Sequence, residues 1–461
     1  MNEQTLKAPL RILNGIRKFL ASDWYYLSVT VLCAIFYTLK QEVIGALVLG
    51  YIAGIVFVLS DDLSPVTLPF LLIASSVLRL YDSADLWFSY IPAIIPIIPL
   101  IAVHFILYRP RYLIGKMFFP LLAVAVAVTV GGIGITSVKD YFSPTNLYYV
   151  VMLGFGMVIL YVIFYNHIGI KKDFDYKKYL TKVMLYFGAF LVYMLFVVYV
   201  ESFIEDKELY IQMGNNLSAN LLMTMPFAFY YSTVSRRYSM AFFCLGLLEY
   251  LALVLSLSRG GMLFGTVMVV PCALFAVKKS AKQDKPFLIT ALVLSGLVAI
   301  IALFAYIDEI IPMLAVKKDE ARVHLYTGAV RSFLEHPFLG VGFLYNTREN
   351  LPTGAIYWYH STPFQIIGSM GLVGILAYCY YYVYRCVILW KNRKSKFNVC
   401  IALSFIGFEL LALVNPGTFC PLPYVAMMTC IFTVFEKMNG SEPLPYIKDL
   451  LPSKIKKTKT A

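Results

Sequence analysis

The chain has 461 residues, 60% hydrophobic and 14% charged, with a mean hydropathy of +0.74 and a formal net charge of +13. Soluble globular chains hold roughly 45–50% apolar and about 25% charged residues, so the composition excludes a soluble enzyme. It is also too evenly apolar for one anchor on a soluble domain, which leaves an all-α polytopic membrane protein.

In chain order, residues 1–22 are basic and amphipathic (Lys7, Arg11, Arg17, Lys18) and lack an A-x-A-like cleavage site. They are expected to be a short interfacial arm and not a cleavable signal peptide. Apolar stretches near the roughly 20-residue span length follow at 23–40, 43–60, 65–80, 86–108, 114–136, 146–169 and 179–200. More lie at 216–234, 239–256, 260–277, 286–307, 363–390, 397–414 and 420–436. The expectation is about 12–14 transmembrane helices. The chain divides into an interfacial arm (1–22), a first helical set (23–307), one large folded external loop (308–360), a second helical set (361–436) and a basic tail (437–461).

With the N-terminus inside, 29 of the 39 Lys and Arg fall on the inner side. These include Arg109, Arg111, the Lys171–Lys182 cluster, Arg236, Arg237, Lys278–Lys285 and Arg385–Lys396. The bias predicts cytoplasmic termini. The positive charge is then topological, and nucleic acid is not implied as a partner. Of eight cysteines, only Cys420 is expected near the outer face, and no CxxC pair supports a zinc or redox motif.

The external loop carries the chemistry. Residues 319–335 have helical periodicity, with Val323, Tyr326, Val330 and Phe333 as the expected apolar stripe, Asp319 as cap and Pro337 as stop. Gly340 and Gly342 then allow a tight turn in HPFLGVGF. The loop holds His324, His336 and His360, together with Lys317, Lys318, Arg322, Arg331 and Arg348. A folded external segment rich in Arg and His suits chemistry on an anion. His104 and His167, near inner span ends, are expected to pack.

His360 precedes Ser361-Thr362-Pro363-Phe364-Gln365, where Pro363 opens a long span and Thr362 with Gln365 fits a capping box. The positive helix end disfavours imidazolium there, so a neutral general base is one reading and a solvated interfacial histidine the other. Arg259 follows Leu255-Ser256-Leu257-Ser258 and precedes Gly260-Gly261. Its planar fork can hold two phosphate oxygens, or it can snorkel to lipid phosphates. Ser258 has no G-x-S-x-G elbow and is discounted as a nucleophile. Arg322, near the N-terminus of the loop helix, suits anion binding. Arg331 either meets substrate or pairs with Glu335. Asn216, in Gly214-Asn215-Asn216, offers an amide to a polar ligand or caps a helix. Tyr326 is a further candidate substrate contact, Tyr357 and Tyr359 candidate sugar-stacking rings. No acidic pair has metal-ligand spacing and no cofactor motif is present. Gly368, Gly371 and Gly374 read as close helix packing.

Arg259 in SLSRGG, the stretch Arg322 to Phe343 ending HPFLGVGF, and His360 in HSTPFQIIGSMGLVG together resemble the O-antigen ligase and polymerase family. The resemblance covers roughly residues 215–390. It implies a GT-C-like membrane glycosyltransferase acting on glycan carried by undecaprenyl pyrophosphate. The glycan moves to a lipid, glycan, wall or protein acceptor hydroxyl on the outer face of the bacterial cytoplasmic membrane, with inversion and no metal. It further implies His360 as the catalytic base and Arg259 and Arg322 as pyrophosphate ligands. The family contains both ligases and polymerases, and the residues do not choose between them. A flippase for lipid-linked oligosaccharide is the alternative, although no internal repeat is visible.

Overall fold

A chain surrounded by lipid has no water for its backbone N–H and C=O groups, and the α-helix satisfies them within the segment. The computed structural model describes residues 13–77, 92–93, 95–108, 112–135, 144–171, 173–206, 214–305, 320–343, 359–419 and 421–439. All fourteen expected stretches contain a helix, and no β-strand occurs among the described residues. The helices are α1 (Leu13–Leu20), α2 (Asp23–Thr38), α3 (Glu42–Leu59), α4 (Thr67–Ser76), α5 (Ile97–Leu107), α6 (Phe118–Val130), α7 (Pro144–Val151) and α8 (Met157–His167). They continue with α9 (Tyr176–Ile204), α10 (Gly214–Ser232), α11 (Ser239–Leu255), α12 (Arg259–Lys279), α13 (Lys285–Ala305), α14 (Glu320–Glu335), α15 (Thr362–Lys391), α16 (Lys396–Ala412) and α17 (Ala426–Met438).

Five helical stretches among the described residues are long and apolar enough to cross a membrane: Glu42–Leu59, Asn146–His167, Tyr176–Ile204, Arg259–Lys279 and Thr362–Lys391. A sixth results if α1 and α2, which meet at 69°, form one span. Shorter apolar helices include Ile97–Leu107, Phe118–Val130 and Ser239–Leu255. The third expected span is α4, of 10 residues, nearly all buried in protein. At about 1.5 Å per residue it cannot cross a bilayer alone, and it packs instead as a core helix.

Two helices form the centre of the bundle. In α10 the run Leu217–Tyr230 is buried throughout, and in α17 so is Ala426–Glu436. Central helices hydrophobic on all faces have no lipid-facing side to expose. Around them α9, α11, α12 and α16 pack on α10, and α8 packs on α17. The seven described cysteines are unpaired.

Charge is also found inside. Arg385 is 2% exposed and sits 3.2 Å from Glu409. It is ringed by Tyr381 at 3.7 Å, Phe432 at 5.0 Å and Phe405 at 5.3 Å. It therefore does not belong with the surface cations of the inner side, because a buried guanidinium must be paired and its carboxylate partner lies one helix away. His104 and His167 are buried against each other, Nε2 to Nδ1 at 2.8 Å, and His104 Nδ1 meets the Phe57 carbonyl at 2.8 Å.

Candidate active site

The SLSRGG turn is built against the start of α10. Leu257 turns the chain in a left-handed conformation (φ +56°). Ser258 then caps α12, its Oγ accepting from Gly261 N at 3.1 Å while donating to Asn215 Oδ1 at 2.6 Å. Below this, Ser218 and Ser256 hydroxyls meet at 2.8 Å. Ser258 is thus occupied as a cap, and Asn215 serves as its acceptor. A Cβ at Gly261 would collide with the Ser218 side chain, so glycine is needed for this close approach. Arg259 is the first residue of α12 and is exposed. A cation at the positive end of a helix is unfavourable alone. An anion seated there would pair with both the guanidinium and the free N–H groups of the first turn.

The loop helix α14 lies on α15 through only part of the expected apolar stripe, Tyr326 and Phe333 being half-buried. The buried residues are Leu325, Ala329 and Ser332, while Val323 and Val330 are exposed. Small residues win this interface because Gly328, Ala329 and Ser332 let the helix approach Tyr359, whose ring is fully buried. Tyr359 OH lies 3.1 Å from Ser332 Oγ, so its faces are not available to sugar. Tyr326 stacks on Phe364 with centroids 4.4 Å apart and planes at 9°. Arg322 is half-buried in the first turn of α14. Arg331 is exposed and pairs with Glu335 at 3.8 Å. Asp319, Tyr357 and Arg348 lie outside the described residues.

His360 stands two residues before α15, exposed, in a left-handed conformation (φ +51°) between buried Tyr359 and Ser361. The expected capping box does not form. Ser361 occupies the N-cap position without a side-chain cap bond. Thr362 Oγ1 is buried without a partner among the described residues. Gln365 instead reaches past the cap, its Oε1 accepting from Tyr359 N at 2.9 Å and its Nε2 donating to Ser369 Oγ at 2.8 Å. This buried amide clamps the residue that precedes His360, a role visible in sequence only as the Q of the capping pattern.

The two glycine motifs meet through their backbones. Helix α15 breaks at Gly371 (φ +58°, ψ −147°), and segment 337–343 runs into the break. Leu372 N donates to Pro337 O (2.8 Å), Val373 N to Phe338 O (3.1 Å), Val341 N to Gly368 O (3.0 Å) and Gly342 N to Ser369 O (3.0 Å). Phe343 N then donates to Gly132 O (2.9 Å) beyond the end of α6. A Cβ at Gly371 would lie 2.6 Å from Pro337 O, and one at Gly131 2.8 Å from Leu339 O. Gly371 is therefore a break occupied by another strand of backbone and not a small-residue helix contact, while Gly368 makes room for the Tyr359 ring.

The Arg259 turn and the 337–343 segment border one connection, that between α16 and α17. Gly260 abuts Leu411 and Val414, and Phe343 meets Phe419 with centroids 5.8 Å apart. Arg259, Arg322 and His360 each lie within a few residues of a helix N-terminus. Asn216 is half-buried in the first turn of α10. Among the described residues no group of three or more His, Cys, Asp or Glu could hold a metal ion.

Comparison with known proteins adds a family to this geometry. Residues 240–379 match the family described as O-antigen ligase, an interval that spans Arg259, α14, the 337–343 segment, His360 and the break in α15. The chain is also 28% identical over 172 residues to an O-antigen ligase of Pseudomonas aeruginosa, covering 36% of this chain and 41% of that relative. The chain thus matches about two-fifths of the relative's length. The glycines that sequence reading assigned to turns and packing are the ones that join the matched segments. Residues 240–379 of this all-α polytopic membrane protein are accordingly similar to the O-antigen ligase family.

Proposed function

We propose that this protein is a membrane glycosyltransferase of the O-antigen ligase or polymerase type. It moves a glycan from undecaprenyl pyrophosphate to an acceptor hydroxyl at the outer face of the bacterial cytoplasmic membrane, with both termini on the inner side. The observation that carries the reading is the clamp on His360: a buried Gln365–Tyr359–Ser332 network holds an exposed imidazole at a helix start, inside the matched family segment.

In this reading His360 takes the proton of the acceptor hydroxyl. The acceptor oxygen forms a bond to the anomeric carbon as the bond from that carbon to the pyrophosphate oxygen breaks, and attack from the opposite face inverts the centre. The electron pair leaves with undecaprenyl pyrophosphate. Arg259 and Arg322, each at a helix N-terminus, pair with the charge that develops there. Tyr326 and Asn216 line the approach of the substrates, and Arg331 lies at its margin.

A transporter of lipid-linked oligosaccharide would depend on ionisable groups within the spans. Such groups exist, and most are internally paired: Arg385 with Glu409, and Glu436 accepting from Tyr161, Tyr384 and the Met117 amide, while buried Glu249 accepts from Thr224 at one oxygen and its other oxygen has no partner among the described residues. The test is the length distribution of undecaprenyl-linked glycan in cells carrying wild type or His360→Ala. Donor should accumulate on the carrier, as single repeat units for a polymerase and as long chains for a ligase. An unchanged distribution with the variant present in the membrane would remove His360 from catalysis and favour transport.

A further inference from the structure

At the end of the bundle opposite His360, 30 residues along α15, the chain forms a cationic pocket of about 350 Å³. Lys177 at the start of α9, Lys391, Arg393 and Lys394 around the α15–α16 turn, and Asn398 near the start of α16 line it. Among the described residues no carboxylate does, and none of the three lysines has an ion-pair partner. Among the described residues, four cations without an acid leave the pocket short of negative charge. Ser395 caps α16 without a side-chain bond, so the N–H groups of that first turn also face this region. Asn398 is 3% exposed; its Nδ2 donates to Asn392 O at 2.6 Å and its Oδ1 has no partner among the described residues. A hydroxyl donor would satisfy it.

The surface leading to the pocket is apolar. Leu372, Leu376, Tyr380, Val383, Val387 and Trp390 are exposed at spacings of four, four, three, four and three, which is one face of α15. Trp390, 68% exposed, ends the stripe beside Lys391, and Arg393 lies 4.5 Å over its ring. An exposed tryptophan capped by arginine marks the level of the lipid headgroups. A hydrocarbon track descending on a basic, hydroxyl-accepting pocket has the polarity of a phospholipid.

We propose that this pocket binds the phosphodiester headgroup of an anionic phospholipid carrying free hydroxyls, phosphatidylglycerol being the simplest, with an acyl chain along the exposed face of α15. The lysines and Arg393 hold the phosphate, and a headgroup hydroxyl donates to Asn398. Basic pockets between membrane helices bind headgroups in this way, at about fivefold in affinity per cation near an anionic surface.

Native mass spectrometry of the full-length protein with defined lipids tests this. Wild type should retain phosphatidylglycerol over phosphatidylcholine. The exposed triple variant Lys177→Gln, Lys391→Gln, Lys394→Gln should lose that preference by about a hundredfold. A control triple of equal charge on the same end of the bundle, Arg236→Gln, Lys278→Gln, Lys282→Gln, should keep it. Equal loss in both triples would overturn the site in favour of bulk surface charge, and so would equal retention of phosphatidylcholine by wild type. Displacement of the lipid by glycerol 3-phosphate, which has no acyl chain, at matched concentration would overturn the lipid assignment and leave a soluble phosphate as the ligand.

Discussion

His360 is held by what lies on either side of it. A non-glycine residue at φ +51° costs about 1–3 kcal/mol unless its surroundings over-determine it, and here Tyr359 and Ser361 are buried on both sides. Replacing Gln365 with Leu removes the acceptor of Tyr359 N and the donor to Ser369 Oγ in a buried site, at about 1–3 kcal/mol. If the clamp positions the imidazole, Gln365→Leu lowers turnover while the apparent KM for donor and the pH profile's shape stay unchanged; a rise in KM alone would place Gln365 in substrate binding. The two arginines separate in the same way. Arg259→Lys keeps the charge but loses the planar fork, so donor affinity should fall about tenfold by titration of lipid-linked glycan in membranes. Arg331→Lys should be silent in that titration, because an exposed pair such as Arg331–Glu335 is worth about 0.2–1 kcal/mol.

At the scale of elements, the feature that organises the site is one backbone threaded into the break of another. Segment 337–343 replaces the hydrogen bonds that α15 gives up at Gly371, and the glycines are required both by distance and by the positive φ of Gly340, Gly342 and Gly371. Gly371→Ala places a methyl 2.6 Å from Pro337 O at a positive φ. It should reduce folded protein, measured by fluorescence-detected size exclusion, and abolish product. Gly296→Ala in α13 meets nothing within 4 Å and should be neutral or slightly stabilising in the same measurement. The loop helix teaches a related lesson. The periodicity over 319–335 matches the described helix Glu320–Glu335, but only Tyr326 and Phe333 of the expected stripe turn inward while Val323 and Val330 are exposed. Val323 and Val330 have the larger apolar surface, but the neighbour that α14 meets is the buried Tyr359 ring, and the residues buried with it are Leu325, Ala329 and Ser332.

For the whole molecule, the paired charges in the bundle matter more for assembly than for transfer. Arg385→Met alone should strand Glu409 and destabilise by about 3–5 kcal/mol, whereas Arg385→Met with Glu409→Leu should recover most of it. A double-mutant cycle on thermal melting in detergent, with product formation measured beside it, tests this. Activity that failed to return with stability would make the pair part of the reaction. The chain alone determined the class of fold, because 60% hydrophobic residues in repeated apolar stretches leave helices in a membrane as the one way to satisfy the backbone. It also determined which short segments carry the family resemblance. The tertiary structure alone decided that α4 is a core helix, that Arg385 is interior, that Tyr359 is a wedge and not a sugar platform, and that Gln365 holds the residue before His360. Each of these depends on which atoms lie within a few ångströms across the bundle, and neither spacing nor composition along one chain encodes a distance between helices.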